Sequence, residues 1–150
     1  MSESIYTLRV SRAAAGAYPT ISDALAAADQ LYPDAEQPVM IRVDPGEYCE
    51  RVEIHRSHVT IEGETADSVR IVGSLADDVR LENLTIENDA GDGREVGQAI
   101  ALYADGDRLV VDACCIKGHQ DTLFLGPLPP HEAKPGGFIG PKQYAPRRVG

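Results

Sequence analysis

The chain has no tryptophan and two phenylalanines, and aromatic residues make up 5% of its 150 positions. Its core must be assembled from Val, Ile, Leu and Ala, side chains that suit short pleated strands. Basic residues are scarce too. Lys and Arg number 14 against 24 Asp and Glu, a formal net charge of -10. That balance excludes nucleic acid and anionic membrane surfaces as partners, since both require clustered cations to meet phosphate. Cysteines number three, an odd count that fits a reducing compartment better than a disulfide framework. No apolar run reaches the ~20 residues a membrane-spanning helix needs. The opening MSESIYTLRV has neither the basic flank nor the apolar stretch of an export signal. These absences point to a soluble, cytoplasmic protein, and the length points to one domain.

One helix is legible. Ile21, Ala24, Leu25, Ala28 and Leu31 recur at helical spacing, which predicts a helix over Ile21–Leu31. Thr20 is its expected N-cap, Asp23 gives an acidic first turn, and Pro33 closes it. Everything else that is apolar comes in short runs: Ile5–Val10, Val39–Val43, Tyr48–Ile54, Val59–Glu62, Val69–Val72, Val79–Leu81 and Leu84–Ile86. Most are bounded by Gly, Asn or Asp, and helical periodicity is absent after Leu31. Many short strands with irregular turns favour a sandwich, a barrel or a parallel β-helix. A lone helix at the start of such a chain would cap an open sheet end. After Leu125 the texture changes. Six prolines between Pro127 and Pro146, with Gly136-Gly137, predict a loop or extended tail over residues 126–150.

The stretch with most chemical content is Gly97–Phe124. Strands are expected at Ala99–Tyr103, Leu109–Val111 and Cys114–Ile116, with a turn over Ala104-Asp105-Gly106-Asp107. Gln98 precedes the first, and Gly118-His119-Gln120-Asp121-Thr122 follows the last. Two amide side chains and one carboxyl group can together stabilise an oxyanion and move a proton. Gln120 and Asp121 are adjacent, and in a regular strand they would face opposite ways. If both serve one site, the backbone must bend there or their roles must differ in direction.

Other patterns carry less. His55 and His58, and Cys114, Cys115 and His119, do not complete a zinc ligand pattern, so packed thiols are the simpler account and no metal or cofactor is expected. There is no Gly-x-Ser-x-Gly elbow and no phosphate-binding glycine loop. Tyr103, Phe124 and Tyr144 either line a sugar groove or belong to the core. Asn83-Leu84-Thr85 matches a glycosylation sequon by chance.

Several segments together resemble the pectinesterase (pectin methylesterase) family. They are Tyr18-Pro-Thr-Ile-Ser-Asp-Ala-Leu, Val43-Asp-Pro-Gly-Glu-Tyr, Leu81-Glu-Asn-Leu-Thr-Ile-Glu-Asn, Gln98-Ala-Ile-Ala-Leu, Gly118-His-Gln-Asp-Thr-Leu-Phe and Gly137-Phe-Ile-Gly-Pro-Lys-Gln-Tyr-Ala-Pro-Arg. The resemblance implies an all-β fold, a right-handed parallel β-helix with an N-terminal capping helix, over residues 1–150. It implies hydrolysis of pectin methyl esters to pectate and methanol, without metal or cofactor. The family uses two aspartates, an arginine and two glutamines. By motif, Gln98 and Gln120 correspond to its glutamines and Asp121 to its acid/base aspartate. The expected partner is pectin or polygalacturonate. A polyanion sits awkwardly with a net charge of -10, but highly esterified pectin is nearly neutral.

This sequence departs from the family pattern in two places. The Asp-Phe-Ile-Phe-Gly motif that holds the nucleophilic aspartate is not found within these residues, nor is the catalytic arginine beyond it. Between Ser74 and Asp78, relatives carry a longer segment with a substrate-contacting threonine. The expectation is therefore a β-helix truncated at its C-terminal end and inactive alone. Asp105, Asp107 and Asp112 are the nearby substitutes for the nucleophile, and turn aspartates of this kind cap their own backbone. Two alternatives remain: a non-catalytic solenoid binding pectin or a complementary chain, and a truncated product without selected function. An open solenoid end would favour self-association.

Overall fold

A computed structural model describes residues 5–65, 69–75, 77–97, 99–104, 106–126 and 135. Five strands pair side by side in one sheet: β1 (Tyr6–Val10), β2 (Val39–Val43), β4 (Val59–Gly63), β6 (Val79–Glu82) and β9 (Val110–Asp112), in that order. A second sheet joins β10 (Cys115–Lys117), β7 (Thr85–Glu87), β5 (Val69–Leu75), β8 (Leu102–Ala104) and β11 (Leu123–Leu125), and β3 (Gly46–Glu53) pairs with β5. Every pairing between these strands is parallel. Parallel neighbours need a crossover, so each strand of the first sheet pairs with the next one only after the chain has visited the second sheet or, between β1 and β2, the helix.

Register turns the sequence into columns. Ile41 sits beside Ile61, Ile61 beside Leu81, and Leu81 beside Val111. The first three are fully buried. Each such aliphatic side chain contributes on the order of 1.5–3 kcal/mol by leaving water. Val39, Val59 and Val79 form a second buried column two residues earlier. The core is thus aliphatic, as the lack of tryptophan required. At Val111 the first column ends in the open, with 39% of its surface exposed. Leu123, in register with buried Leu102, is 47% exposed, and Leu125, in register with buried Ala104, is 67% exposed. These side chains, with Leu109 and Ile116, line a cavity of about 490 Å³.

The corners are made by left-handed residues. His58, Asp78 and Arg108 have φ of 58°, 51° and 54°, each just ahead of a strand of the first sheet. Asn83 and Ala113, at 55° and 49°, stand just after β6 and β9. Asp78 N–H donates to the Asp107 carbonyl and Asn83 N–H to that of Asp112, so successive corners are bonded to one another. Asn and Asp tolerate this conformation, whereas Ala113 and Arg108 cost about 1 kcal/mol or more there.

The helix α1 spans Ile21–Leu31 as its periodicity predicted, and the Thr20 side chain accepts from Asp23 N–H. It packs against β1, β2 and β3. One assignment to its apolar face is corrected: Leu31, the last residue of the helix, is 57% exposed. Glu50 adds a cap that spacing did not reveal. Its carboxylate accepts from the N–H groups of Ile21 and Ser22 and from the Ser22 hydroxyl, placing negative charge at the positive end of the helix. A second helix, α2 (Gly93–Val96), capped by Asp92, was not anticipated. Four residues are too few for a periodic signal.

Strand limits also shift. The run expected at Ala99–Tyr103 pairs only at Leu102–Ala104, so Ala104 belongs to strand rather than turn. The strands expected at Leu109–Val111 and Cys114–Ile116 each begin one residue later. The tail expected over 126–150 lies, Gly126 and Pro135 apart, outside the described residues.

Candidate active site

The corner after β10 is where the chemistry-bearing residues lie. Gln120 and Asp121 are both exposed. Asp121 has φ of 54°, in the left-handed region. The strand alternation that would separate the two side chains is therefore broken at this residue; of the two alternatives the sequence left open, the backbone here takes the bend.

The segment after Gln98 runs alongside this corner. Ala99 N–H donates to the Gln120 carbonyl at 3.2 Å, and Ala101 and Leu102 N–H both donate to the Thr122 carbonyl, at 3.0 and 3.1 Å. Gln98 itself lies outside the described residues, as do Asp105 and Tyr144. The Gln120 side chain rests against Gly93, the first residue of α2. A Cβ placed on Gly93 would overlap the Gln120 carboxamide. Glycine is thus the residue that lets the helix start approach the amide. Gly118 is tight in the same way, since a Cβ there would meet the Thr122 hydroxyl at 2.8 Å.

The other candidates sort differently. Asp107 is held by Arg108, through its backbone N–H at 2.9 Å and its guanidinium at 2.6 Å. Asp112 accepts from Arg80 at 2.7 Å. Both carboxylates are committed to ion pairs at either end of β9, and Asp121 lies beyond β10. Tyr103 is buried rather than groove-lining, and its ring packs on Phe124 at 5.9 Å between centroids. Cys114 is half-buried against the core, and burial raises its thiol pKa. His55 pairs with Glu53, and His58 lies 3.9 Å from Asp78. Among the described residues no three His, Cys, Asp or Glu converge as a metal site. The missed participants are Gly93 and Asn88. Gly93 has no sequence signal of its own until its neighbour in space is known, and Asn88 was visible only as the last residue of the Leu81–Asn88 segment, with no role attached.

Comparison with known proteins places this geometry. A probable pectinesterase/pectinesterase inhibitor of Arabidopsis thaliana is 34% identical over 130 residues, covering 73% of this chain and 22% of the relative. A probable pectinesterase A of Aspergillus oryzae is 35% identical over 134 residues, covering 73% of this chain and 39% of the relative. The chain belongs to the pectinesterase family. It spans less than half the length of these relatives. No protein-family model matches it. Among solved structures, a pectin methylesterase in complex with a hexasaccharide superposes with a TM-score of 0.68 at 25% identity, covering 80% of this chain and 45% of that one. Pectin methylesterase PemA from Erwinia chrysanthemi gives a TM-score of 0.65 at 24% identity, with the same coverage, and supports the fold alone. This pectinesterase-family chain therefore brings Gln120 and Asp121 to one bent corner and lays the segment after Gln98 against it.

Proposed function

We propose that this chain carries the oxyanion and acid/base half of a pectin methyl-ester hydrolase. Asp121 protonates the departing methoxide and then serves as base for water. The carboxamides of Gln120 and Gln98 donate to the oxygen that becomes negative in the tetrahedral intermediate. Among the described residues no aspartate is assigned as the attacking carboxylate: Asp107 and Asp112 are engaged by arginines, and Asp105 lies outside the described residues. The observation that carries the reading is the left-handed bend at Asp121, directly after Gln120. The fold proposed with it is a right-handed parallel β-helix, supported by the all-parallel registers and the pectin methylesterase superpositions. The ligand is methyl-esterified polygalacturonate.

The test is methanol release from highly methylated pectin, with Asp121→Asn as control, alongside binding of methyl-esterified hexagalacturonate. These 150 residues should bind the oligosaccharide saturably and release no methanol above the control. Release that the substitution abolishes would reveal a nucleophile among these residues and overturn the division of labour. Absence of binding would remove the substrate assignment.

A specific observation supports a second reading. Val110, Val111, Leu123 and Leu125 are exposed along the edge strands β9 and β11. Among the described residues β9 and β11 each pair with one strand, and a free strand edge beside apolar side chains favours assembly with another chain. We propose self-association through this edge.

A further inference from the structure

Asn88 bonds both to the segment after Gln98 and to the strand that leads into the Gln120 corner. Its side-chain NH2 donates to the Ile100 carbonyl at 3.0 Å. Its own N–H donates to the Lys117 carbonyl at 3.0 Å. Its side-chain oxygen accepts from Ala90 N–H at 3.0 Å, at the start of the loop leading to α2. Ile100 is two residues past Gln98, Lys117 is three before Gln120, and Ala90 is three before Gly93, on which the Gln120 side chain rests. A carbonyl can only accept and an N–H can only donate, so the two side-chain partners fix which way the amide faces. No other natural side chain of this length offers both functions at once. Aspartate keeps the acceptor but would set a carboxylate oxygen against the Ile100 carbonyl. Leucine of similar size offers neither.

We infer that Asn88 is a positioning residue, which sets the segment Ala99–Leu102, the Gln120 corner and the α2 loop in one fixed relation. It touches no reacting atom. The inference rests on the reading of Gln120 and Asp121 as an ester-hydrolase corner, but its structural content can be measured without any substrate.

The experiment is hydrogen exchange of backbone amides in the wild-type chain and in Asn88→Asp, together with binding of methyl-esterified hexagalacturonate. In the wild type, the amides of Asn88, Ala99 and Ala101 should open as one unit, with protection factors within about tenfold of each other. In Asn88→Asp, Ala99 and Ala101 should exchange about tenfold faster or more, the size expected for one lost hydrogen bond. The amides of Ile41 and Ile61, in the first sheet, should not change. Oligosaccharide affinity should fall about tenfold in step, since a carboxamide held loosely aligns poorly.

A uniform rise in exchange that includes Ile41 and Ile61 would mean a general loss of stability and would overturn the inference. So would unchanged exchange at Ala99 and Ala101. If the variant does not fold, the wild-type comparison alone decides, and separate opening of Asn88 and Ala99 would sink the idea. A wild type that shows the shared opening but binds no oligosaccharide would remove the hydrolase reading and leave the positioning intact.

Discussion

The guanidinium of Arg56 donates to the carbonyl of Ala28 at 3.0 Å, in the last turn of α1. The same side chain also donates to the carbonyls of Tyr32, Asp34 and Gln37, at 2.9, 3.2 and 3.2 Å. It is almost fully buried, with 5% of its side chain exposed. A cation thus closes the negative end of the helix and organises the turn that leads into β2. Arg56→Lys keeps the charge but replaces a planar fork by a single ammonium, which cannot reach four carbonyls shared between two guanidinium nitrogens. The variant should lose about 2 kcal/mol of stability, read as a lower midpoint in urea at unchanged slope. A loss below half a kcal/mol, the usual size for a surface change, would show that the carbonyls are satisfied some other way.

Gly93 should tolerate no side chain. The alanine Cβ overlaps the Gln120 carboxamide, so Gly93→Ala must turn that amide away or push the helix back. Binding of methyl-esterified hexagalacturonate should weaken about tenfold, a misplacement effect. Thermal stability should change little, because helix α2 holds no buried residue. Equal affinity in the variant would mean that Gln120 does not contact the ligand.

Stability should fall in acid through Asp44 and Asp78. Hydrogen bonding from Arg9, then from Ser11, holds the Asp44 carboxyl below its usual value, and Arg108 does the same to Asp78. A folded-state pKa below the unfolded one contributes stability above the unfolded pKa, and that contribution disappears as pH falls through the folded value. The loss therefore belongs below about pH 4. Asp78→Asn should flatten the pH dependence of the urea midpoint in that window. A slope identical to wild type would assign the acid sensitivity to other carboxylates.

Association through the exposed edge should depend on concentration. In sedimentation velocity the chain should shift from monomer to larger species as concentration rises. Val111→Asp with Leu125→Asp should restore the monomer, because charges on an edge oppose pairing. A wild type that stays monomeric throughout would count against the edge as a contact.

Much of the fold was legible because the core repeats one kind of residue at one kind of position. The apolar faces of Val39–Val43 and Val59–Glu62 announce strands, and Ile21–Leu31 announces a helix with its cap. What was not legible is lateral. That Ile41, Ile61, Leu81 and Val111 share a column depends on pairing across twenty or thirty residues, and no strict repeat marks it. At the site, Gln120 and Asp121 were visible as a motif, and strand alternation left either a bend or a difference in direction. The roles of Asn88 and Gly93 were not visible, because they consist of bonds and clearances to residues distant in sequence.

The left-handed corners have a consequence for how such a chain can change. Twenty residues separate Ile61 from Leu81, and thirty separate Leu81 from Val111, yet both steps advance the column by one place. The corners at Asp78, Asn83, Arg108 and Ala113 fix where each strand begins and ends, so the length between them is free to vary. The longer step is the one that contains Asn88, α2 and the Gln98 segment. New recognition elements can therefore be gained or lost by insertion within a turn of the chain, while the aliphatic ladder beside them keeps its spacing.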